Sequence, residues 1–345
     1  MEVRDVNVGV AGLGYWGPNL LRNLRGIGTC RVTGMADPNA ARIAEFARVY
    51  PDISCFHTAE ELIDSPEVNA VVLALPARLL PSLALRALER GKHVLIEKPM
   101  APSLGDGVHL AEVARRGRSV AMVDYTFVYS AAVRYLRDLL ASRELGTPHY
   151  YQSTRINLGR FQPDVDVIWD LAVHDIAILA FLLGRDPVSV QSSGRGLRPG
   201  RVDTAHVTLT YDDGFQAFIH VSWLAPTKVR MALLACSKGM AAYNDVEPDE
   251  KIRLYQLEER FDPETEDSLV PTFRLGDVRI PRLHQEEALR VMAGSFLDAI
   301  RGGPAPVTDF SFGVRVLSVL EAARASLAEN RPVPVSLPAI LRPTG

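Results

Sequence analysis

Gly9-Val10-Ala11-Gly12-Leu13-Gly14-Tyr15-Trp16-Gly17-Pro18 is the stretch that decides the fold. Gly12, Gly14 and Gly17 make a GxGxxG pattern, which is weak evidence on its own. Here it follows an apolar run, Val6 to Ala11, that reads as a buried strand, and it opens a helical segment from Pro18 to Arg25. In that context the glycines permit a tight turn and the close approach of a pyrophosphate, whose charge the helix N-terminus stabilises. Pro18 suits a first helical turn, where no N–H is needed. The bland alternative is an ordinary glycine-rich turn, and the flanking strand and helix favour dinucleotide binding over it. The expected cofactor contacts are Gly12, Leu13, Gly14, Tyr15, Trp16 and Gly17.

Asp37 ends the next strand-like run, 37 − 17 = 20 residues past the last glycine. A carboxylate at that distance bonds the adenine-ribose 2′-OH of NAD and repels a 2′-phosphate. Pro38 and Asn39 offer no cation, and Arg42 lies a helical turn further on, so NAD is expected rather than NADP. The alternative for Asp37 is a carboxylate that only serves a helix N-terminus.

Outward from this unit, strands and helices alternate. Arg31 to Ala36, Ala70 to Leu75, His93 to Ile96 and Val120 to Val123 read as strands. Ala40 to Tyr50, Leu80 to Arg90 and Leu104 to Arg116 read as helices, with Gly91 and Gly117 at C-cap positions. Thr58 with Glu61 and Ser103 with Asp106 have capping-box spacing. The alternation implies βαβ units and a doubly wound parallel sheet.

After Asp124 the pattern changes. Helices are expected over Ala131 to Ser142, Asp170 to Leu183, Gln285 to Arg301 and Phe312 to Glu329. Strands are expected over Tyr150 to Asn157, Ala205 to Tyr211, Phe215 to Trp223, Arg230 to Cys236 and Ala241 to Asn244. Asp212-Asp213-Gly214 reads as a hairpin turn, and Gly194 to Gly200 as a loop. Clustered strands imply an open, mainly antiparallel sheet. The expected division is an NAD-binding Rossmann domain over 1–124, then an α/β substrate and oligomerisation domain over 125–345, its C-terminal helix packing back on the first.

Composition bounds the function. The 345 residues suit about two domains. Lys and Arg number 38 against 41 acidic residues, a net charge of −3, so no basic field exists for nucleic acid or an anionic membrane. No apolar run spans a bilayer, and no signal-peptide core is read at the N-terminus. Cys30, Cys55 and Cys236 make neither a disulfide framework nor a metal motif, so a reducing cytoplasm is expected. Lysine is rare, at Lys92, Lys98, Lys228, Lys238 and Lys251 only.

Glu97-Lys98-Pro99 stands directly after the strand that begins at His93, and Asp170 and His174 are spaced DxxxH. With the glycine motif, these make the chain resemble the Gfo/Idh/MocA oxidoreductases over nearly its whole length. It is most similar to a bacterial sugar-dehydrogenase-like branch whose patterns stand here at Gly12 to Asn23, Ser153 to Gly159 and Trp169 to Asp175. The resemblance implies that Leu75, Pro76, Glu97 and Lys98 border the cofactor. It implies that Lys98 meets the reacting hydroxyl, that His174 is the general acid/base and that Asp170 is its neighbour. It also implies a homodimer or homotetramer joined through the open sheet. Two segments depart from the family pattern, Ala77-Arg78-Leu79-Leu80 and Asp124-Tyr125-Thr126-Phe127-Val128-Tyr129.

The residues read chemically in the same direction. Oxidising a secondary alcohol sends a hydride to nicotinamide and a proton to a base, and histidine titrates in the right range. Asp170 and His174 share a helix face by spacing. Lys98 favours alkoxide development. Taken singly, the histidine reads as a core residue and the lysine as a surface one. Arg155 and Asn157, alternating on one strand face, are expected to meet sugar hydroxyls, and Trp169 and Tyr125 to pack on a sugar ring. Asp124, Asp164, Asp166 and Asp170 suggest a cationic substrate such as an amino sugar or aminoglycoside; a solvated acidic loop reads equally well.

The expected activity is NAD-dependent oxidation of a sugar ring hydroxyl, most plausibly at C3, feeding amino-sugar or antibiotic biosynthesis. A nucleotide-sugar or inositol dehydrogenase is the alternative. An NAD-dependent glycosidase and a non-catalytic sugar sensor rank lower.

Overall fold

A computed structural model describes residues 6–159, 161, 165–197, 200–260, 272–284 and 286–341. The described residues form two units. The first comprises Met1–Ser130, Glu286–Glu321 and Ser336–Gly345, and the second Ala131–Gln285 and Ala322–Val335.

The first unit holds a six-stranded parallel sheet of β1 (Val6–Ala11), β2 (Cys30–Ala36), β3 (Ser54–Phe56), β4 (Ala70–Leu73), β5 (His93–Glu97) and β6 (Ala121–Asp124). Its order is β3-β2-β1-β4-β5-β6, the doubly wound order with the crossover beside β1. The crossovers are α1 (Gly17–Gly26), α2 (Ala40–Val49), α3 (Ala59–Asp64), α4 (Leu80–Glu89) and α5 (Leu104–Arg116). β1, β4, β5 and β6 are buried almost throughout because helices cover both faces, which is why they read as continuous apolar runs. The Thr58–Glu61 capping box forms in both directions, and Ser103 Oγ accepts from Asp106 N. Gly91 is left-handed (φ +68°), but Gly117 is not: it ends α5 in extended conformation with its N–H on Val113 O and Ala114 O.

The second unit carries α6 (Ala131–Ser142), β7 (Pro148–Leu158), α7 (Val173–Leu183) and then strands β8 (Ser189–Arg195), β9 (Thr204–Thr210), β10 (Gln216–Ser222), β11 (Leu224–Cys236), β12 (Gly239–Asn244), β13 (Ile252–Arg260) and β14 (Thr272–Arg279). Helices α8 (Ala288–Ile300) and α9 (Phe310–Glu329) and the short β15 (Val333–Pro334) complete the order. The sheet runs β14-β13-β12-β11-β7-β10-β9-β8-β15, with β7 and β10 parallel and every other pair antiparallel. Tyr151, Ser153 and Arg155 turn to the buried face. The cross-strand row Met231, Thr154, His220 and His206 lies on the other face, where Met231 and His206 are exposed.

Three expectations change. The 124/125 boundary moves to 130/131, and Glu286–Glu321 joins the first unit. Thr308 ties that segment in: its hydroxyl donates to Val123 O and its carbonyl accepts from Val123 N. The loop expected at Gly194 to Gly200 begins inside β8, whose edge pairs with β9 through Arg195. The helix expected from Asp170 starts at Ile168 as one π-turn, Ile168–Ala172, before α7.

Candidate active site

The glycine loop is shaped by its own backbone. Gly12 has φ +90°, and a Cβ there would lie 2.3 Å from Ala74 O. A Cβ on Gly17 would lie 1.7 Å from Gly12 O, whereas one on Gly14 would meet nothing within 4 Å. The space over Gly14 is the cradle a pyrophosphate requires. α1 begins at Trp16 without a side-chain cap, leaving its first N–H groups to an anion. Tyr15 (65% exposed) and Trp16 (45%) flank the loop in edge-to-face contact, while Leu13 is buried. Leu75 is half-buried and Pro76 exposed, after β4. These residues fit NAD.

Asp37 has a task the spacing did not reveal. Its two oxygens accept from Leu13 N (2.7 Å) and Asn39 N (2.8 Å), so it pins the glycine loop to the end of β2. Arg42 was passed over as too distant. Its Nε and an Nη donate to Leu13 O at 3.0 and 2.6 Å, and its other Nη pairs with Glu45. The guanidinium clamps the loop carbonyls from α2. Its place in the first turn after Asp37 was the available signal.

At the C-terminal ends of β5 and β6, Glu97 lies opposite Asp124. They are 8% and 3% exposed, and Lys98 beside them is half-buried. Glu97 Oε2 accepts from Lys98 N (3.2 Å), and the Thr126 hydroxyl donates to Asp124 Oδ1. Burial, then the Asp124 charge, pushes the Glu97 carboxyl well above its ordinary range; burial lifts Asp124 to about 6 against the hydrogen bonds from Thr126.

In the second unit, every residue from Val167 through Leu182 is buried except Asp170 and His174. Asp170 lies in the π-turn, an irregularity that recurs at functional sites. Its Oδ2 accepts from Trp223 Nε1 at 3.0 Å, fixing the carboxylate from the end of β10. The next helical residue after His174, Asp175, faces the opposite way: Oδ1 accepts from the Tyr151 hydroxyl (3.0 Å) and Oδ2 from Arg155 Nε (2.8 Å). Asp175 is structural.

Several substrate contacts are corrected by burial. Arg155 is 4% exposed and turned to Asp175, because the β7 face it shares with Tyr151 and Ser153 packs inward. Asn157, further along that face, is half-buried. Trp169 is 1% exposed with the Arg324 guanidinium 4.0 Å from its ring centroid, and Tyr125 is 1% exposed against Phe312. Asp166 accepts from Trp169 N and starts the helical turn. Asp124 is buried and accepts from the Thr126 hydroxyl. The acidic cluster therefore loses Asp124 and Asp166 to internal hydrogen bonds, and Asp164 lies outside the described residues. Arg155→Ala would leave Asp175 buried without its cation and is expected to destabilise the protein by about 3 kcal/mol in urea denaturation. A raised KM with unchanged stability would return Arg155 to the substrate.

The described residues hold no group of three or more His, Cys, Asp or Glu placed to bind a metal, and no helix long and apolar enough to cross a membrane.

Known proteins share this organisation. An oxidoreductase family with an NAD-binding Rossmann fold, GFO_IDH_MocA, matches residues 6–125, and the GFO/IDH/MocA C-terminal domain matches residues 133–242. The UDP-N-acetylglucosamine 3-dehydrogenase of Acidithiobacillus ferrooxidans is 29% identical over 222 residues, 63% of this chain and 67% of that protein. A solved structure of this dehydrogenase superposes with a TM-score of 0.78 at 25% identity, covering 94% of this chain and 99% of the other. The scyllo-inositol 2-dehydrogenase (NAD(+)) of Bacillus subtilis is 23% identical over 347 residues, 96% of each chain. Levoglucosan dehydrogenase in complex with NADH and levoglucosan shares the fold, with TM-score 0.82 at 20% identity over 96% of this chain and 99% of that one.

Proposed function

This chain belongs to the Gfo/Idh/MocA oxidoreductases, and from that premise we propose that it oxidises a secondary hydroxyl of a sugar ring at C3, with NAD as acceptor. The observation that carries the reading is that Asp170 and His174 alone stay partly accessible within an otherwise buried helical run. Burial would be the ordinary fate of a histidine in so apolar a segment, and a proton-transfer group has to be reachable. NAD supplies the hydride acceptor when bound. His174 takes the hydroxyl proton, Asp170 orients it, and the Lys98 ammonium favours the developing alkoxide. Keeping these proton-transfer groups argues for an enzyme over a sensor.

The C3 position is supported by the 3-dehydrogenase relative, and the inositol 2-dehydrogenase relative supports a cyclitol as the second reading. The amino-sugar or aminoglycoside substrate and its place in antibiotic biosynthesis lose Asp124 and Asp166 from the acidic cluster that suggested them, leaving Asp170, among the described residues, as the carboxylate of that cluster placed to meet a cationic ring. NADH appearance in absorbance, with NAD and a panel of UDP-N-acetylglucosamine, free amino sugars, neutral sugars and inositols, tests the proposal. Turnover of one class names the substrate; glycoside cleavage without net NADH would establish the glycosidase instead. The reading places the enzyme in the cytoplasm. It also expects a homodimer or homotetramer through the sheet face that carries Met231 and His206, which sedimentation as a 37.9 kDa monomer would refute.

A further inference from the structure

Both polar groups of the Leu13 backbone are held from outside the glycine loop. Asp37 Oδ2 accepts from Leu13 N at 2.7 Å, and Arg42 donates to Leu13 O through Nε at 3.0 Å and through one Nη at 2.6 Å. The same Nη reaches Gly14 O at 3.3 Å. The other Nη donates to Glu45 Oε2 at 2.7 Å, and the Arg42 Cζ lies 5.0 Å from the Phe46 ring centroid. One planar group meets two carbonyls, a carboxylate and a ring, which the point charge of an ammonium cannot do at once.

The place of Arg42 does not favour its own helix. Asn39 caps α2, its side chain accepting from Ala41 N, so Arg42 stands in the first turn. The positive end of the helix macrodipole disfavours a cation there, and α2 has no acid in that turn. The guanidinium serves the loop rather than the helix.

The consequence falls on the peptide between Leu13 and Gly14. It is trans, so its C=O and its N–H point in opposite directions. With Leu13 O turned to the guanidinium, Gly14 N–H is turned away from it. That N–H has no acceptor among the described residues, and Gly14 is exposed with open space around it. A hydrogen bond to a peptide carbonyl also strengthens the N–H of the same peptide as a donor.

We propose that Arg42 is a positioning residue for the cofactor: by holding Leu13 O it aims and polarises Gly14 N–H for the NAD pyrophosphate. This rests on NAD as the cofactor and not on the sugar reading, so a substrate panel without turnover would leave it standing. The alternatives are that Arg42 only ties α2 to the loop, or that it meets a 2′-phosphate itself.

Calorimetric titration of the full chain with adenosine, ADP-ribose, NAD and NADP separates these. ADP-ribose carries the pyrophosphate and adenosine does not. In Arg42→Met the Kd for ADP-ribose and NAD is expected to rise about tenfold, the worth of one charge-assisted hydrogen bond, with adenosine binding unchanged. Arg42→Lys keeps the charge without the fork and should recover only part of the loss. Equal weakening of adenosine and ADP-ribose would make Arg42 a structural tie, and a loss confined to NADP would make it a phosphate contact. Either result, or parent-like binding of ADP-ribose, would overturn the proposal. Should Arg42→Met fail to fold, the same comparison in Arg42→Lys decides, the ADP-ribose loss there being expected to exceed the adenosine loss.

Discussion

His174→Ala is expected to lower NADH formation by about 10²–10⁴-fold, the contribution of a positioned general base. The side chain is one of two that stay partly accessible in the run Val167 to Leu182. The loss should fall on kcat. NAD affinity should be unchanged, because the cofactor contacts lie in the Gly12 to Gly17 loop of the other unit. Retention of more than about a tenth of the rate would place the base elsewhere. Asp170→Asn should give a smaller loss, since the amide still accepts from Trp223 Nε1 but no longer carries the charge that favours a protonated imidazole.

Gly17→Ala and Gly14→Ala should separate folding from cofactor binding within one motif. At Gly17 a Cβ meets Gly12 O at 1.7 Å, a backbone atom that moves only if the turn does. That variant should lose NAD binding and melt at a lower temperature. At Gly14 a Cβ meets nothing, so the free protein should melt as the parent does. The methyl would instead occupy the space through which the pyrophosphate approaches the backbone, raising the NAD Kd at least about tenfold. Fluorescence titration with NAD and thermal melting on the same preparations read both quantities. Parent-like NAD affinity in Gly14→Ala would show that the dinucleotide does not lie over this turn.

The sequence made the first sheet legible because a parallel strand covered on both faces has to be mainly apolar, and β1, β4 and β5 are, Asn7, His93 and Glu97 being their polar residues. It missed β3, three residues long and pairing only through Gly34 to Ala36, since so short an edge strand leaves no periodicity. It also missed β8 and β13 to β15, the edge and near-edge strands of the second sheet. Asp170 and His174 stood out by spacing. Arg155 was read as a substrate contact because spacing gives a strand two faces without saying which one is buried; Trp169, in the π-turn, and Tyr125, just past β6, were read so from residue type, which says nothing of burial.

What the sequence determined by itself was local: a glycine turn between strand and helix, an acid twenty residues on, and the Glu97-Lys98-Pro99 and DxxxH patterns. Each depends on backbone geometry within one or two elements, and such geometry is written in residue type and interval. What only the tertiary structure decided was the use of each charge. Arg155 neutralises Asp175, Asp37 and Arg42 brace the glycine loop, and Asp124 shares its burial with Glu97. Those pairings join residues from 20 to 29 positions apart, and they exist because an ion removed from water must find a partner wherever the fold brings one.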